Sequence, residues 1–326
     1  QLLATECIYD VKCMRNGSIV INMPPVLSVC DPKTLKFNHY ISPFAFDGSA
    51  KDNNIPLLED RDGSIWVAST KGLARFIPAT SSFKVFKHDK NDPNSISEDN
   101  ITALHQDQYG GLWIGTSSGL NYRAAGAHGF VHYFHDYANE ASLSNNFIRA
   151  IVSDKQGNLW IGTEGGGLNR MSRQQKNNIY FERFSAEKSG LNHNINLALT
   201  IDNSDNLWIG TLSGINKTDL KKRNFRLYRK NDSPYSVDLA GNVIASVYVD
   251  DKGLIWIGNW GQGLNIYNRA TGQVMHYASK LAGNFHIPND YIHCIFADHQ
   301  HTIWLGTRDG LLVYDPKQKR FVRPDV

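Results

Sequence analysis

Asp154-Lys155-Gln156-Gly157-Asn158-Leu159-Trp160-Ile161-Gly162-Thr163, followed by Gly165, Gly166, Gly167 and Leu168, is the stretch whose reading decides the fold. A turn signal, a short apolar run centred on Trp160 and a second, glycine-rich turn signal form the middle of a β-meander. The pattern returns, in near-constant register, with Trp66, Trp113, Trp208, Trp256 and Trp304 in the place of Trp160. A fixed period of this length marks a repeat architecture, so the period has to be understood before any site.

One period ahead of Trp66, Asn16-Gly17-Ser18-Ile19-Val20-Ile21 mirrors Asp62-Gly63-Ser64-Ile65-Trp66-Val67, which makes Val20 the anchor of a degenerate first repeat. An aromatic at a constant offset after the anchor supports the register: Phe37, Phe83, Phe130, Phe225 and Phe321 follow Val20, Trp66, Trp113, Trp208 and Trp304. The count is seven. Each repeat holds four short strands, A to D, predicted in the fourth at Ile148–Ser153, Leu159–Thr163, Leu168–Met171 and Tyr180–Phe184. The Asp-x-x-Gly between A and B is hairpin chemistry, with Asp capping the turn and Gly free to take positive φ. No repeat contains a sustained amphipathic helical pattern, so helices have nowhere to sit.

Four strands per roughly 45 residues, repeated four to eight times, make a β-propeller. The expected fold class is all-β, a seven-bladed β-propeller of four-stranded antiparallel blades, with residues 1–326 as a single domain. Each Trp on strand B should pack between neighbouring blades; burying ~150–250 Å² at ~25 cal/mol/Å² contributes about 4–6 kcal/mol as an upper bound. Ala103, Ala150, Ala198, Ser246 and Cys294 align on strand A, where small residues suit a crowded position near the propeller axis; Asp10 and Pro56 depart from that rule.

With 41% hydrophobic residues the 326-residue chain can build a folded core. Its 34 Lys and Arg against 31 Asp and Glu leave +3, and the longest basic run is Lys221-Lys222-Arg223, so no nucleic-acid partner is expected. No apolar stretch approaches the ~18 residues that span a bilayer, and the N-terminus lacks the order of a signal peptide. Membrane attachment is therefore expected only through segments outside this sequence. Cys7, Cys13, Cys30 and Cys294 fit neither a zinc site nor a dense disulfide framework and read as ordinary buried thiols, with a single disulfide the alternative. His128, His132 and His135 surround a D strand without sharing one face, so neither metal nor cofactor is expected.

Because strand direction alternates, the B–C and D–A connections share one face. The variable B–C residues are Lys71, Ser117, Ser118, Glu164, Leu212, Ser213, Asn259, Trp260, Gln262, Arg308 and Asp309. Trp260 is the one Trp outside the anchors. It suits stacking on a sugar ring beside amide and charged groups, with covering a neighbouring blade the alternative. The candidate ligand contacts are Lys71, Glu164, Asn259, Trp260, Gln262, Arg308 and Asp309. No catalytic residue is assigned: no nucleophile elbow or phosphate loop occurs, and Glu164, Asp309 and Arg308 would serve as acid, base and charge clamp only if they faced one another. Asp99, Asn146, Asn194, Asn242 and Asp290 end the D–A connections and read as turn caps, with ligand contact the alternative. His299 and His301, in an A–B turn on the opposite face, read as solvated.

The assembled signature, Asp-x-x-Gly-x-Leu/Ile-Trp-Ile-Gly-Thr-x-x-Gly-Leu, resembles the two-component regulator propeller repeat. Trp113-Ile114-Gly115-Thr116 through Gly119-Leu120-Asn121, Trp160-Ile161-Gly162-Thr163, Trp208-Ile209-Gly210-Thr211 and Trp304-Leu305-Gly306-Thr307 carry the likeness, with Ser95-Ile96-Ser97 and Ser142-Leu143-Ser144 before strand A. Departures are Asp205 and His301 in place of the turn glycine, Asn259 in place of Thr, and the first repeat without its Trp. The resemblance implies a non-catalytic, periplasmic sensor module that is a fragment of a bacterial membrane receptor with a histidine kinase or diguanylate cyclase output. Its implied partners are a small-molecule or oligosaccharide ligand, adjoining domains of the same receptor, and a second copy in a homodimer. A carbohydrate-active lyase or hydrolase, or a protein-interaction scaffold, are the alternatives.

Overall fold

The computed structural model describes residues 7–31, 34, 36–44, 55–172, 179–220, 225–228 and 237–324. These residues form 28 strands in seven four-stranded antiparallel sheets, each built from consecutive strands. The fold is a seven-bladed β-propeller. In the fourth blade the strands run Ile148–Ser153, Leu159–Thr163, Leu168–Met171 and Phe181–Phe184, so that only the start of D differs from its prediction, by a single position. Among the described residues, α-helix is limited to the single turn Ala186–Ser189. The chain groups into two compact units, one of Ser42–Leu199 and one of Gln1–Ile41 with Thr200–Val326.

The A–B turn and the anchor are one device. Asp154 Oδ1 accepts the N–H groups of Gln156 and Asn158, while Oδ2 accepts the Trp160 indole N–H at 3.0 Å. Asp60, Asp107, Asp202, Asp250 and Asp298 hold Trp66, Trp113, Trp208, Trp256 and Trp304 in the same way, at 2.8–3.0 Å. A buried indole N–H needs a partner, and this carboxylate supplies it from the turn just upstream. In the first repeat Met14 and Val20 occupy both places and both are buried. Donor and acceptor are lost together, which leaves nothing unsatisfied. At the turn position, Gly157 has φ +80°, and Asp205 and His301 adopt +60° and +62°. These two residue types tolerate the left-handed region, so the turn survives both departures from the motif.

The glycine after the anchor answers to the next blade. A Cβ on Gly115 would lie 2.6 Å from the Ile148 side chain, and one on Gly258 would lie 2.8 Å from Ile292. Ala103, Ser246 and Cys294 pair with Gly115, Gly258 and Gly306 across the A–B ladder. Their small size follows from that isoleucine seating on the pair, a neighbour contact where the sequence suggested crowding of inner strands.

Within Ser42–Leu199, Trp113 of the third blade packs into the fourth among Leu143, Ile148, Leu159, Met171 and Phe181. In the other unit Trp208 packs with Ile244, Ile257 and Tyr267, and Trp256 with Ile292, Ile303 and Phe321. These three anchors pack between blades as predicted. The first and last blades meet in the same unit through Ile8, Val11, Ile21, Cys294, Phe296 and Leu311. The Ile8 N–H donates to the Thr307 carbonyl at 3.0 Å. No strand is exchanged between these two blades among the described residues, so side-chain packing and backbone hydrogen bonding such as that of Ile8 hold the seam.

The acidic and amide residues ending the D–A connections close those loops. Asp99, Asn146, Asn194 and Asp290 accept the N–H groups of His88, His135, Ala186 and Ser279 at 2.6–2.8 Å. The carbonyls of Asn146, Asn194, Asn242 and Asp290 accept from Gly119, Gly167, Gly214 and Gly263 in the preceding B–C turns. The cap reading applies, with the far end of the loop as its partner.

Candidate functional site

The candidate residues fall in both units. Lys71 and Glu164 belong to Ser42–Leu199; Asn259, Trp260, Gln262, Arg308 and Asp309 belong to the other. Lys71 is partly buried in its B–C turn, where its N–H donates to Ser69 Oγ at 2.9 Å. The Glu164 carboxylate pairs with the Arg149 guanidinium, which lies 4.4 Å from the centre of the Phe147 ring. An ion pair packed on an aromatic is a strut for the turn, and it commits the carboxylate of Glu164 to Arg149.

Asn259 is wholly buried. In the third and fourth blades a buried strand-C asparagine, Asn121 or Asn169, accepts the N–H of Ser97 or Ser144 and donates to the same serine's hydroxyl. In the sixth blade Ala240 stands where that serine would be. Asn265 still accepts the Ala240 N–H, and it donates instead to Asn259 Oδ1, while Asn259 Nδ2 donates to the Gly241 carbonyl at 2.9 Å. Asn259 therefore replaces Thr because it supplies the acceptor that Ala240 lacks. As a ligand candidate it is corrected to a buried structural residue.

The structure brings Trp260 and Arg308 together through a residue that sequence reasoning passed over. The Trp260 ring meets Tyr291 edge-on, centroids 5.7 Å apart, and meets His293 at 5.4 Å. Arg308 lays its guanidinium 4.9 Å from the Tyr291 centroid. The backbone fixes both arms, because Trp260 forms a β-bridge with Tyr291 and the Arg308 N–H donates to the Tyr291 carbonyl at 3.3 Å. Trp260, Tyr291 and Arg308 are partly exposed, whereas His293 is buried, with its Nε2 3.6 Å from Cys7 Sγ. Gln262 is exposed beside the cluster's turn; Asp309 is exposed with Oδ2 accepting from Asn289 Nδ2 at 2.9 Å. The missed signal was Tyr291 itself, which stands to Trp304 in its repeat as Phe147 stands to Trp160, each with an arginine on its face.

Aromatic faces, a guanidinium and amide groups at a turn can stack on a sugar ring and hydrogen-bond its hydroxyls. Two of the three histidines singled out around the third D strand serve the backbone: His132 contacts the Ser95 carbonyl at 2.7 Å and His135 the Leu143 carbonyl at 2.6 Å. His105, lodged between blades against Ser153 Oγ, is pushed down to about 4 by burial, against the opposing pull of Asp107. It is neutral and structural at neutral pH. Among the described residues no group of three or more His, Cys, Asp or Glu side chains is placed to hold a metal ion.

Residues 95–118, 142–165, 238–261 and 286–309 match the two component regulator propeller family. The chain carries this family's repeats. Each matched stretch begins before strand A and ends in the B–C turn, so Glu164, Trp260, Arg308 and Asp309 sit at the ends of repeats. No curated protein matches the sequence. Among solved structures, this chain is similar to the extracellular domain of a proposed one component system from B. thetaiotaomicron, with 19% identity, TM-score 0.55, and coverage of 98% of this chain and 48% of that one. The extracellular domain of a proposed hybrid two component system from the same organism gives 18%, 0.50, 99% and 53%. Streptogramin B lyase gives 13%, 0.68, 95% and 94%. At these identities the likeness establishes the fold. The chain spans about half the length of the two extracellular domains.

Proposed function

We propose that this chain is the non-catalytic, ligand-sensing propeller of a bacterial signalling receptor, lying outside the cytoplasm and recognising an oligosaccharide at the Trp260, Tyr291 and Arg308 cluster. The observation that carries the reading is that cluster, in which the repeat-breaking residues Trp260 and Arg308 converge on Tyr291 and all three remain partly exposed. The family's repeats and the likeness to two extracellular receptor domains support it. In such a receptor the ligand signals only if it binds one arrangement of the adjoining domains, or of two copies, better than another.

Calorimetric titration with a panel of oligosaccharides tests the site. A sugar that binds the wild type should bind Trp260→Ala at least tenfold more weakly, about 1.4 kcal/mol. Equal affinity for both proteins would sink the assignment. The fold likeness to streptogramin B lyase supports a second, enzymatic reading. New products after long incubation with a bound sugar, seen by chromatography, would replace the sensor reading with that one.

A further inference from the structure

The seam between the last and first blades is underfilled. In the third, fourth and sixth blades the strand-C residue paired with the one preceding the anchor covers the previous blade's Trp. Arg123, paired with Leu112, holds its guanidinium 5.6 Å from the Trp66 ring; Met171, paired with Leu159, packs on Trp113; Tyr267, paired with Ile255, packs on Trp208. In the first blade that place, opposite Ile19, belongs to Cys30. Cys13, Ile19, Cys30 and Phe37 pair in one row across its four strands, so all four share a face. Facing that row, Trp304 is only partly buried, and a cavity of about 380 Å³ opens between them, with Val313, Val322 and Pro324 completing its apolar wall.

Chemistry keeps this cavity apolar. Cys13 and Cys30 lie two strands apart, about 10 Å, beyond disulfide reach. Each thiol lies 3.7 Å from a neighbouring carbonyl, of Met14 and Asp31, and burial together with Asp31 pushes the Cys30 thiol up, so it stays uncharged. The nearest carboxylate, Asp298, is engaged by the N–H groups of Gln300 and Thr302 and by the Trp304 indole. His299, Gln300 and the exposed Arg323, whose guanidinium donates to the Asp309 carbonyl, stand at the mouth and offer polar atoms to one edge of an occupant.

We propose that this seam cavity is a binding site for a small, flat, uncharged aromatic molecule of the size of indole, distinct from the Trp260 cluster. The volume falls within the ~300–1,000 Å³ of small-molecule sites, and apolar cavities of about 150 Å³ already take up benzene. An occupant restores the contacts that Trp304 lacks. It also clamps the chain around Val322 to Pro324 onto the first blade, because those residues form part of the wall.

Indole and benzene are the probes, with glucose as a polar molecule of similar size. Indole should raise the melting temperature of the wild type saturably at millimolar concentration, and glucose should not. Cys30→Met, which places the fourth blade's residue in the gap, should melt higher without probe and bind indole at least tenfold more weakly. Hydrogen exchange on the wild type locates the probe whether or not that variant folds: indole should slow exchange in residues 13–19 and 313–324. Absence of saturable indole binding to the folded wild type, undiminished binding to a folded Cys30→Met, or protection confined to other segments would each overturn the proposal.

Discussion

Two blade seams use the same residue positions to different ends. Between the third and fourth blades Trp113 is 1% exposed, sandwiched by Tyr122 of its own blade and Met171 and Phe181 of the next. Between the seventh and first, Trp304 keeps its clasp to Asp298 at 2.8 Å yet stays partly exposed, because Cys30 and Phe37 leave space. The indole hydrogen bond is local to one repeat and alike in both places. Coverage of the ring belongs to the neighbouring blade and varies. Conformation of the repeat and tightness of the seam are therefore separate properties of this protein.

The largest expected effect tests that separation directly. Trp113→Ala should cost about 3–5 kcal/mol in urea denaturation, the range for emptying a close-packed aromatic site. Trp304→Ala should cost less than half as much, since part of its ring is already in water. Equal losses would break the comparison.

A second test asks whether buried polar pairing is also local. Asn259→Thr restores the family residue but leaves the Asn265 amide without its acceptor, and should destabilise by about 1–3 kcal/mol. Adding Ala240→Ser should recover most of that loss, because the serine hydroxyl accepts from the equivalent asparagine in the third and fourth blades. Additive losses in the double variant would show that the two positions are independent.

The smallest effect concerns the clasp itself in acid. Burial by itself would raise the Asp202 carboxyl. The N–H of Asn206, the Trp208 indole, the Asn206 amide and the N–H of Ser204 outweigh it and hold it below the ordinary carboxylate range. A depressed folded value means stability that is fully present above the unfolded carboxyl's value, about pH 3.9, and lost as pH falls through the folded one. Asp202→Asn should flatten the acid limb of the stability curve below about pH 4. An unchanged limb would remove Asp202 as a contributor.

Much of this was legible in the residues. The tryptophan period, the turn chemistry and the recurring aromatic specified seven four-stranded blades, and the fourth blade's strands came out almost as read. The site was legible only at its edges. Trp260 and Arg308 stood out by breaking the repeat, whereas Asn259 broke it for a reason lying outside its own turn, in Ala240. Glu164 looked like an acid until Arg149 was seen beside it.

By itself, then, the sequence determined what is set by short-range periodicity: strands, turns, the count of blades, and which tryptophan is an anchor. These follow from hydrogen bonding and side-chain alternation over a few residues, repeated in phase. Only the tertiary structure decided which residues from different blades meet, such as Trp260 with Tyr291, and where they leave a gap, as between Trp304 and Cys30. Those meetings depend on how each blade fills the gap its neighbour leaves, and packing across a seam has no period to read.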